Sequence, residues 1–283
     1  MSLGRFPDGV PLINGEPLII GHRGASAHAP ENTLAAFGQA LCDGADGLEF
    51  DVRLSLDGVP FVIHDATLER TALRVGLVES LDSGQLSGLD AGTWFNRRHP
   101  DAAREEFALE RIPTLAQVFE RFGACARVLY VEMKCEEPAR GARLARAVVE
   151  ATRAHGLAER VVLKSFAHEL VREAKRLAPE VRAAALFDRS WSRPLLHPSR
   201  IIAEAAGCGA DEISLHRSLL RRATVEEAHR RGFGVVVWTV DTPFWLRRAR
   251  ALGLRAVITN RPASMRDALR AQPHSPARGG ETA

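Results

Sequence analysis

From residue 18 to residue 270, short apolar and β-branched runs alternate with longer stretches of helical pattern. The runs fall at 18–21, 46–52, 59–63, 127–133, 161–165, 183–187, 211–214, 234–238 and 255–259. Helical patterns occupy 33–43, 114–122, 138–155, 167–177, 199–206, 223–231, 243–252 and 263–270. Thr224, followed by Glu227, reads as a capping box, and Thr242-Pro243 reads as an N-cap with proline at the first helical position. Such alternation predicts repeated βα units around a parallel sheet.

Nine runs is one more than a closed barrel of eight βα units requires. A parallel crossover needs a dozen or more residues, yet only residues 53–58 separate the second run from the third. These two runs are therefore expected to form an antiparallel hairpin, turned at Asp57-Gly58. The expected architecture is an α/β fold, a (β/α)8 barrel of the triosephosphate-isomerase type, and its 283 residues suit one domain spanning 1–283. Residues 66–112, rich in Gly, Ser, Asp and Arg, fit no βα unit and are expected to form a small lobe above the site-bearing face. The tail at 273–283 is expected to be disordered.

A hydrophobic content of 46% and a charged content of 26% are those of a globular chain. No apolar run approaches the roughly 20 residues of a membrane span, and residues 1–17 lack the apolar core of a signal peptide, so a cytoplasmic location without stable membrane insertion is expected. Cys42, Cys125, Cys135 and Cys208 are dispersed and contain no C-x-x-C pair, which argues against a zinc knuckle or a redox motif. The net charge of +3 comes with no basic tract, so no nucleic-acid partner is expected.

In a barrel of this type the strand ends and the loops after them build the active site. The first strand ends at His22 and Arg23. In "LEFDVR", Glu49 and Asp51 share one face while Leu48, Phe50 and Val52 share the other. "VLYVEMK" repeats the arrangement with Glu132 and Lys134. Inward carboxylates in a strand covered on both sides are costly unless paired or bound to a cation. Three of them at one barrel end resemble a hard-cation site for Mg²⁺ or Ca²⁺, the alternative being internal salt bridges with Arg23 and Lys134. The hairpin return brings His64 to the level of Asp51, opposite His22.

This set suits phosphodiester cleavage. A divalent cation, the Arg23 fork and the Lys134 charge would stabilise the negative charge of the transition state. The two imidazoles would exchange protons with nucleophile and leaving group near neutral pH. No G-x-S-x-G nucleophile motif is present.

The segments "GHRGASAHAPENT", "EFDVRLSLDGVPFVIHD", "LDAGTW", "IPTL", "VEMK", "KSF", "VVVWTVD" and "VITNRP" resemble, in order and spacing, the glycerophosphodiester phosphodiesterases from about residue 18 to residue 262. The resemblance implies metal-dependent hydrolysis of a small-molecule glycerophosphodiester, such as glycerophosphocholine or glycerophosphoethanolamine, to glycerol 3-phosphate and an alcohol. It implies His22 and His64 as the acid/base pair and Glu49, Asp51 and Glu132 as ligands of one divalent cation. Arg23 and Lys134 would hold phosphate, with Phe166 and Trp238 as an aromatic wall. Glu31 and Asn32 are expected to brace the first loop and cap its helix, and His28 to be a loop residue. Two departures are Asp241, where many relatives carry Asn, and Asn260, where many carry Asp. Both are expected to bear on head-group preference and loop bracing rather than on activity. The 66–112 lobe implies a small diester enclosed from above.

Three other readings compete. A lysophospholipase D or phospholipase acting on acylated diesters would need an apolar groove or an interfacial helix, and no strongly lipophilic helix face is present. A zinc amidohydrolase would need paired H-x-H ligands, which are missing. A non-catalytic binding protein would be expected to have lost a histidine or a carboxylate, and all five are retained.

Overall fold

Each of the nine apolar runs forms a strand. In the computed structural model, which describes residues 16–135, 137–189 and 197–271, these are β1 (Leu18–His22), β2 (Gly47–Leu54), β3 (Pro60–Val62), β4 (Val128–Met133), β5 (Val161–Ser165), β6 (Arg182–Phe187), β7 (Glu212–His216), β8 (Gly234–Trp238) and β9 (Ala256–Thr259). β1 pairs in parallel with both β2 and β9, so every strand except β3 belongs to a closed ring of eight. The result is a TIM barrel. β3 lies outside the ring, antiparallel to β2, with Val52 opposite Val62 and Leu54 opposite Pro60. The turn between them places Gly58 at φ +88°, a conformation that favours glycine.

Period-two alternation separates two packed layers. Leu18, Ile20, Tyr130, Val162, Val236 and Ile258 meet inside the ring. The alternate strand positions, among them Phe50, Val131, Leu163, Ile213 and Val257, pack outward against the helices. Burial on both faces explains why the strands read as continuous apolar runs. The inward positions become ionic only at the two ends of the barrel. At the N-terminal end, Glu212 accepts from Tyr130 Oη at 2.8 Å and pairs with Arg182 and Arg255, each at 3.1 Å.

The outer helices are α1 (Leu34–Cys42), α2 (Leu115–Phe122), α3 (Pro138–Ala154), α4 (His168–Leu177), α5 (Pro198–Gly207), α6 (Arg222–Arg230), α7 (Phe244–Leu252) and α8 (Pro262–Arg270). Two expected starts differ. α6 begins at Arg222, so Thr224 lies inside its first turn, buried with Val225 and Ala228, and no capping box forms. Pro243 occupies the N-cap position of α7 with helical dihedrals, and the Thr242 side chain does not cap. Thr242 contributes its carbonyl instead, accepting from Trp245 N at 3.1 Å.

Residues 66–112 fold into short helices at Glu69–Ala72, Ser83–Ser87 and Thr93–Arg98, joined by 3-10 turns. Phe61 and Ile63, from β3 and the residue after it, pack with Leu68, Val78, Leu86 and Ile112, tying this segment to the hairpin. Trp94, Phe95 and Phe107 pack on Ala29 and Ala36, tying it to the first βα loop and to α1. The 273–283 tail lies outside the described residues. Among the described residues, no helix is long and apolar enough to cross a membrane.

Candidate active site

The register of the parallel ladder assembles the site. His22 lies opposite Glu49, Asp51 opposite Glu132, and Glu132 opposite Lys164. Equivalent inward positions on four successive strands are thereby stacked at the C-terminal end of the barrel, where TIM barrels carry their chemistry. Oxygens of Glu49, Asp51 and Glu132 all lie within 4.8 Å of one another. Each of the three carboxylates is buried, Glu49 and Asp51 to 1% exposure.

Cations surround them. Lys134 Nζ contacts Glu132 and lies 3.3 Å from Asp51, and Lys164 Nζ sits 2.6 Å from Glu49 and 3.6 Å from Glu132. Arg23 Nε lies 3.1 Å from Asp51 Oδ2, out of line for a hydrogen bond, so the interaction is one of charge. Burial is the largest influence on both Glu49 and Asp51 and opposes ionisation, yet the neighbouring cations outweigh it. Lys164 and His22 hold Glu49 below its ordinary value, and Arg23, Lys134 and His64 hold Asp51 far below its own. Lys134 is held above its usual value against the opposing effect of burial, by Asp51 and Glu132. A tight all-oxygen anionic donor set of this kind fits a hard divalent cation.

Arg23 follows β1 at φ +52°, a left-handed conformation worth on the order of 1 kcal/mol of strain for a residue with a side chain. Its N–H is held by Glu49 O at 2.7 Å, and the next residue, Gly24, packs against the backbone of Ala36 so closely that a Cβ there would lie 2.5 Å from it. The turn aims the guanidinium between Glu31 and Asp51. Glu31 also accepts two hydrogen bonds from Arg70, each 2.8 Å. Asn32, at φ +59°, donates to Asp51 Oδ2 at 3.0 Å. Thr33 caps α1, accepting from Ala36 N at 3.2 Å, so Glu31 and Asn32 brace the site rather than cap its helix. His28 is exposed in the loop.

The hairpin delivers His64. Ile63 N donates to Asp51 O at 2.9 Å, which sets the following imidazole beside Asp51. His64 Nδ1 lies 2.5 Å from Asp65 Oδ1, and Arg70 Nε donates to the other oxygen of Asp65 at 2.5 Å. Burial opposes ionisation of Asp65, but Arg70 and His64 bring it down to about 2. Phe166 and Trp238 meet edge to face at 5.6 Å, with Phe166 45% exposed and Lys134 Nζ 6.0 Å from its ring. A cavity of about 370 Å³, open to solvent, lies on the His22 side between Arg23, Trp94, Arg98, His99 and Arg261.

Two groups escaped the reading of the sequence. Lys164 is an inward residue of β5, and its signal was the lone charge in "VVLKS". Asn260, expected to lie outside the catalytic set, has Oδ1 2.7 Å from His22 Nδ1 and donates through Nδ2 to Asp241 at 2.8 Å.

A closed parallel barrel with buried carboxylates, imidazoles and guanidiniums gathered at its catalytic end defines a TIM-barrel enzyme built for an anionic ester. A sequence profile described as the glycerophosphoryl diester phosphodiesterase family matches residues 22–264. The chain is 34% identical over 253 residues to a glycerophosphodiester phosphodiesterase of Caldanaerobacter subterraneus subsp. tengcongensis, covering 88% of this chain and 96% of that protein. It superposes on an Oleispira antarctica phosphodiesterase in complex with the product sn-glycerol-3-phosphate, with TM-score 0.75 and 28% identity over 91% of this chain and 98% of the other. A putative glycerophosphoryl diester phosphodiesterase from Silicibacter pomeroyi gives TM-score 0.78 and 27% identity, covering 90% and 93%. The chain belongs to the glycerophosphoryl diester phosphodiesterase family and is an enzyme of that family.

Proposed function

We propose that the protein hydrolyses small glycerophosphodiesters, glycerophosphocholine and glycerophosphoethanolamine among them, to glycerol 3-phosphate and the free alcohol. Glu49, Asp51 and Glu132 hold one divalent cation, Mg²⁺ or Ca²⁺, and His22 and His64 form the acid/base pair. The observation that carries this reading is the set of three buried carboxylates within 4.8 Å of one another, with one imidazole at Glu49 and the other at Asp51.

When bound, the cation supplies Lewis-acid stabilisation of charge on the phosphoryl oxygens. Arg23 and Lys134 bind the phosphate and offset the charge that builds on it. Glu31 and Asn32 hold Arg23 and Asp51 in the orientation this requires. One histidine takes the proton of the attacking hydroxyl while the other gives a proton to the departing alcohol oxygen, a pairing worth about 10²–10⁴ per group. Phe166 and Trp238 form the wall against which the substrate rests, and the 66–112 lobe encloses the opposite side.

The test crosses glycerophosphocholine, glycerophosphoethanolamine and lysophosphatidylcholine with Mg²⁺, Ca²⁺, Mn²⁺ and chelator. Release of glycerol 3-phosphate from the deacylated substrates, abolished by chelator, is the expected result. Faster turnover of the acylated substrate, or full activity in chelator, would overturn the reading.

A further inference from the structure

We propose that Asn260, anchored by Asp241, is a positioning residue that fixes the tautomer of His22 and leaves His22 Nε2 as the proton acceptor of the reaction. The assignment of a reaction step rests on the phosphodiesterase reading above; the tautomer does not.

The argument is an inventory of donors and acceptors. Asp241 is a carboxylate and only accepts. Its Oδ1 takes the Asn260 backbone N–H at 2.8 Å and the Thr259 hydroxyl at 3.0 Å, and its Oδ2 takes the Asn260 Nδ2 at 2.8 Å. The amide of Asn260 is thereby oriented: its NH₂ faces Asp241, so its oxygen faces His22. That oxygen lies 2.7 Å from His22 Nδ1 and 2.8 Å from Ser26 Oγ. An amide oxygen has no proton to give, so the hydrogen between Asn260 and His22 belongs to Nδ1. A neutral imidazole carries one N–H, and Nε2 is then bare. Nε2 is the nitrogen turned to the carboxylate cluster, 3.9 Å from Glu49 Oε2.

Proton balance completes the assignment. His22 Nε2 takes the proton of the attacking hydroxyl as that oxygen forms its bond to phosphorus. The bond from phosphorus to the alcohol oxygen breaks, and that oxygen takes a proton from His64 Nε2; because Asp65 Oδ1 accepts the Nδ1 hydrogen at 2.5 Å, His64 enters this step as imidazolium, carrying both N–H groups. Protons accepted and donated are equal, and no further reactant is needed.

Asp241→Asn tests the orientation. With an amide at 241, the Asn260 side chain loses the partner that dictates which way it faces, and the other histidine tautomer becomes accessible. The exchange Asp241→Asn with Asn260→Asp restores an acceptor against His22 Nδ1 and a donor against residue 260. A histidine held in the wrong tautomer forfeits most of its acid/base contribution. Asp241→Asn is therefore expected to lower kcat by roughly 10²-fold with little change in KM, and the double exchange to recover most of the loss, at matching Tm. The deficit should persist on a glycerophosphodiester whose leaving group is 4-nitrophenolate, which needs no proton, while the deficit of His64→Ala should shrink on it.

Nitrogen-15 NMR of the histidine-labelled full-length protein, with the His22 signal assigned through His22→Gln, reads the tautomer without any assay. It should find the hydrogen on Nδ1 in the wild type. A hydrogen on Nε2, wild-type kcat in Asp241→Asn, no recovery in a folded double exchange, or a deficit that vanishes with 4-nitrophenolate would each overturn the proposal. Failure of the wild type on every glycerophosphodiester would instead sink the substrate reading, and the spectrum would still decide the tautomer.

Discussion

Lys164 is buried to 2% exposure and bridges Glu49 and Glu132. Removing one partner of a buried ion pair leaves uncompensated charge, at a cost of about 3–5 kcal/mol. Lys164→Met is expected to lose stability on that scale in urea unfolding with chelator present, and to regain part of it with a saturating divalent cation. Equal stability of mutant and wild type in chelator would show that Lys164 compensates nothing. Glu31 and Asp65 are both held below the ordinary carboxylate range; burial opposes this in each, Arg70 and Arg23 outweigh it at Glu31, and Arg70 and His64 do so at Asp65. A folded-state pKa below the unfolded one contributes stability above the unfolded value and loses it as pH falls through the folded one. Stability should therefore decline from about pH 4 down to about 2, the level of Asp65. Glu31→Gln should flatten that decline, as urea midpoints measured across the pH series will report.

The hairpin acts as an element rather than as residues. It exists to bring His64 back alongside Asp51, and its side-chain period is two, so a slip of one residue reverses every face. Inserting one alanine between Phe61 and Val62 is expected to turn His64 away and lower kcat by at least about 10²-fold, the worth of an acid/base group. Gly58→Ala is a milder control, since it disturbs the φ of +88° and crowds only the far end of the Arg143 side chain, 3.3 Å from the added Cβ. It should cost about 1–2 kcal/mol in urea unfolding while the protein still folds with near-normal kcat.

At the level of the whole molecule, the 66–112 segment is held to the barrel by a small aromatic contact. Phe95 is fully buried and meets Phe107 at 5.7 Å and Trp94 at 5.8 Å, over Ala29 and Ala36. Phe95→Ala should cost about 3–5 kcal/mol of local stability. Limited proteolysis should then cut within 66–112 well before the barrel, and KM should rise more than kcat falls, because Trp94, Arg98 and His99 line the cavity beside His22. Unchanged proteolysis would show that this contact does not anchor the segment.

The strands were legible because burial on both faces writes an unbroken apolar run, and the length of the gaps between runs dictated which connection had to be a hairpin. Inward carboxylates at Glu49, Asp51 and Glu132 were legible for the same reason: a charge in such a run breaks the pattern and demands a partner. Helix starts at Thr224 and Thr242 were misread because packing of Val225 and Ala228, and the helical dihedrals of Pro243, outweighed local capping preferences. What only the tertiary structure decided is pairing across distance. Lys164 finds Glu49 and Glu132 through the register of neighbouring strands. Asn260 finds His22 only because β9 closes the ring against β1, bringing together residues from opposite ends of the chain. Period and composition fix which face a side chain takes, but the direction of a hydrogen bond is set by the partner it meets, and that partner is chosen by closure of the barrel.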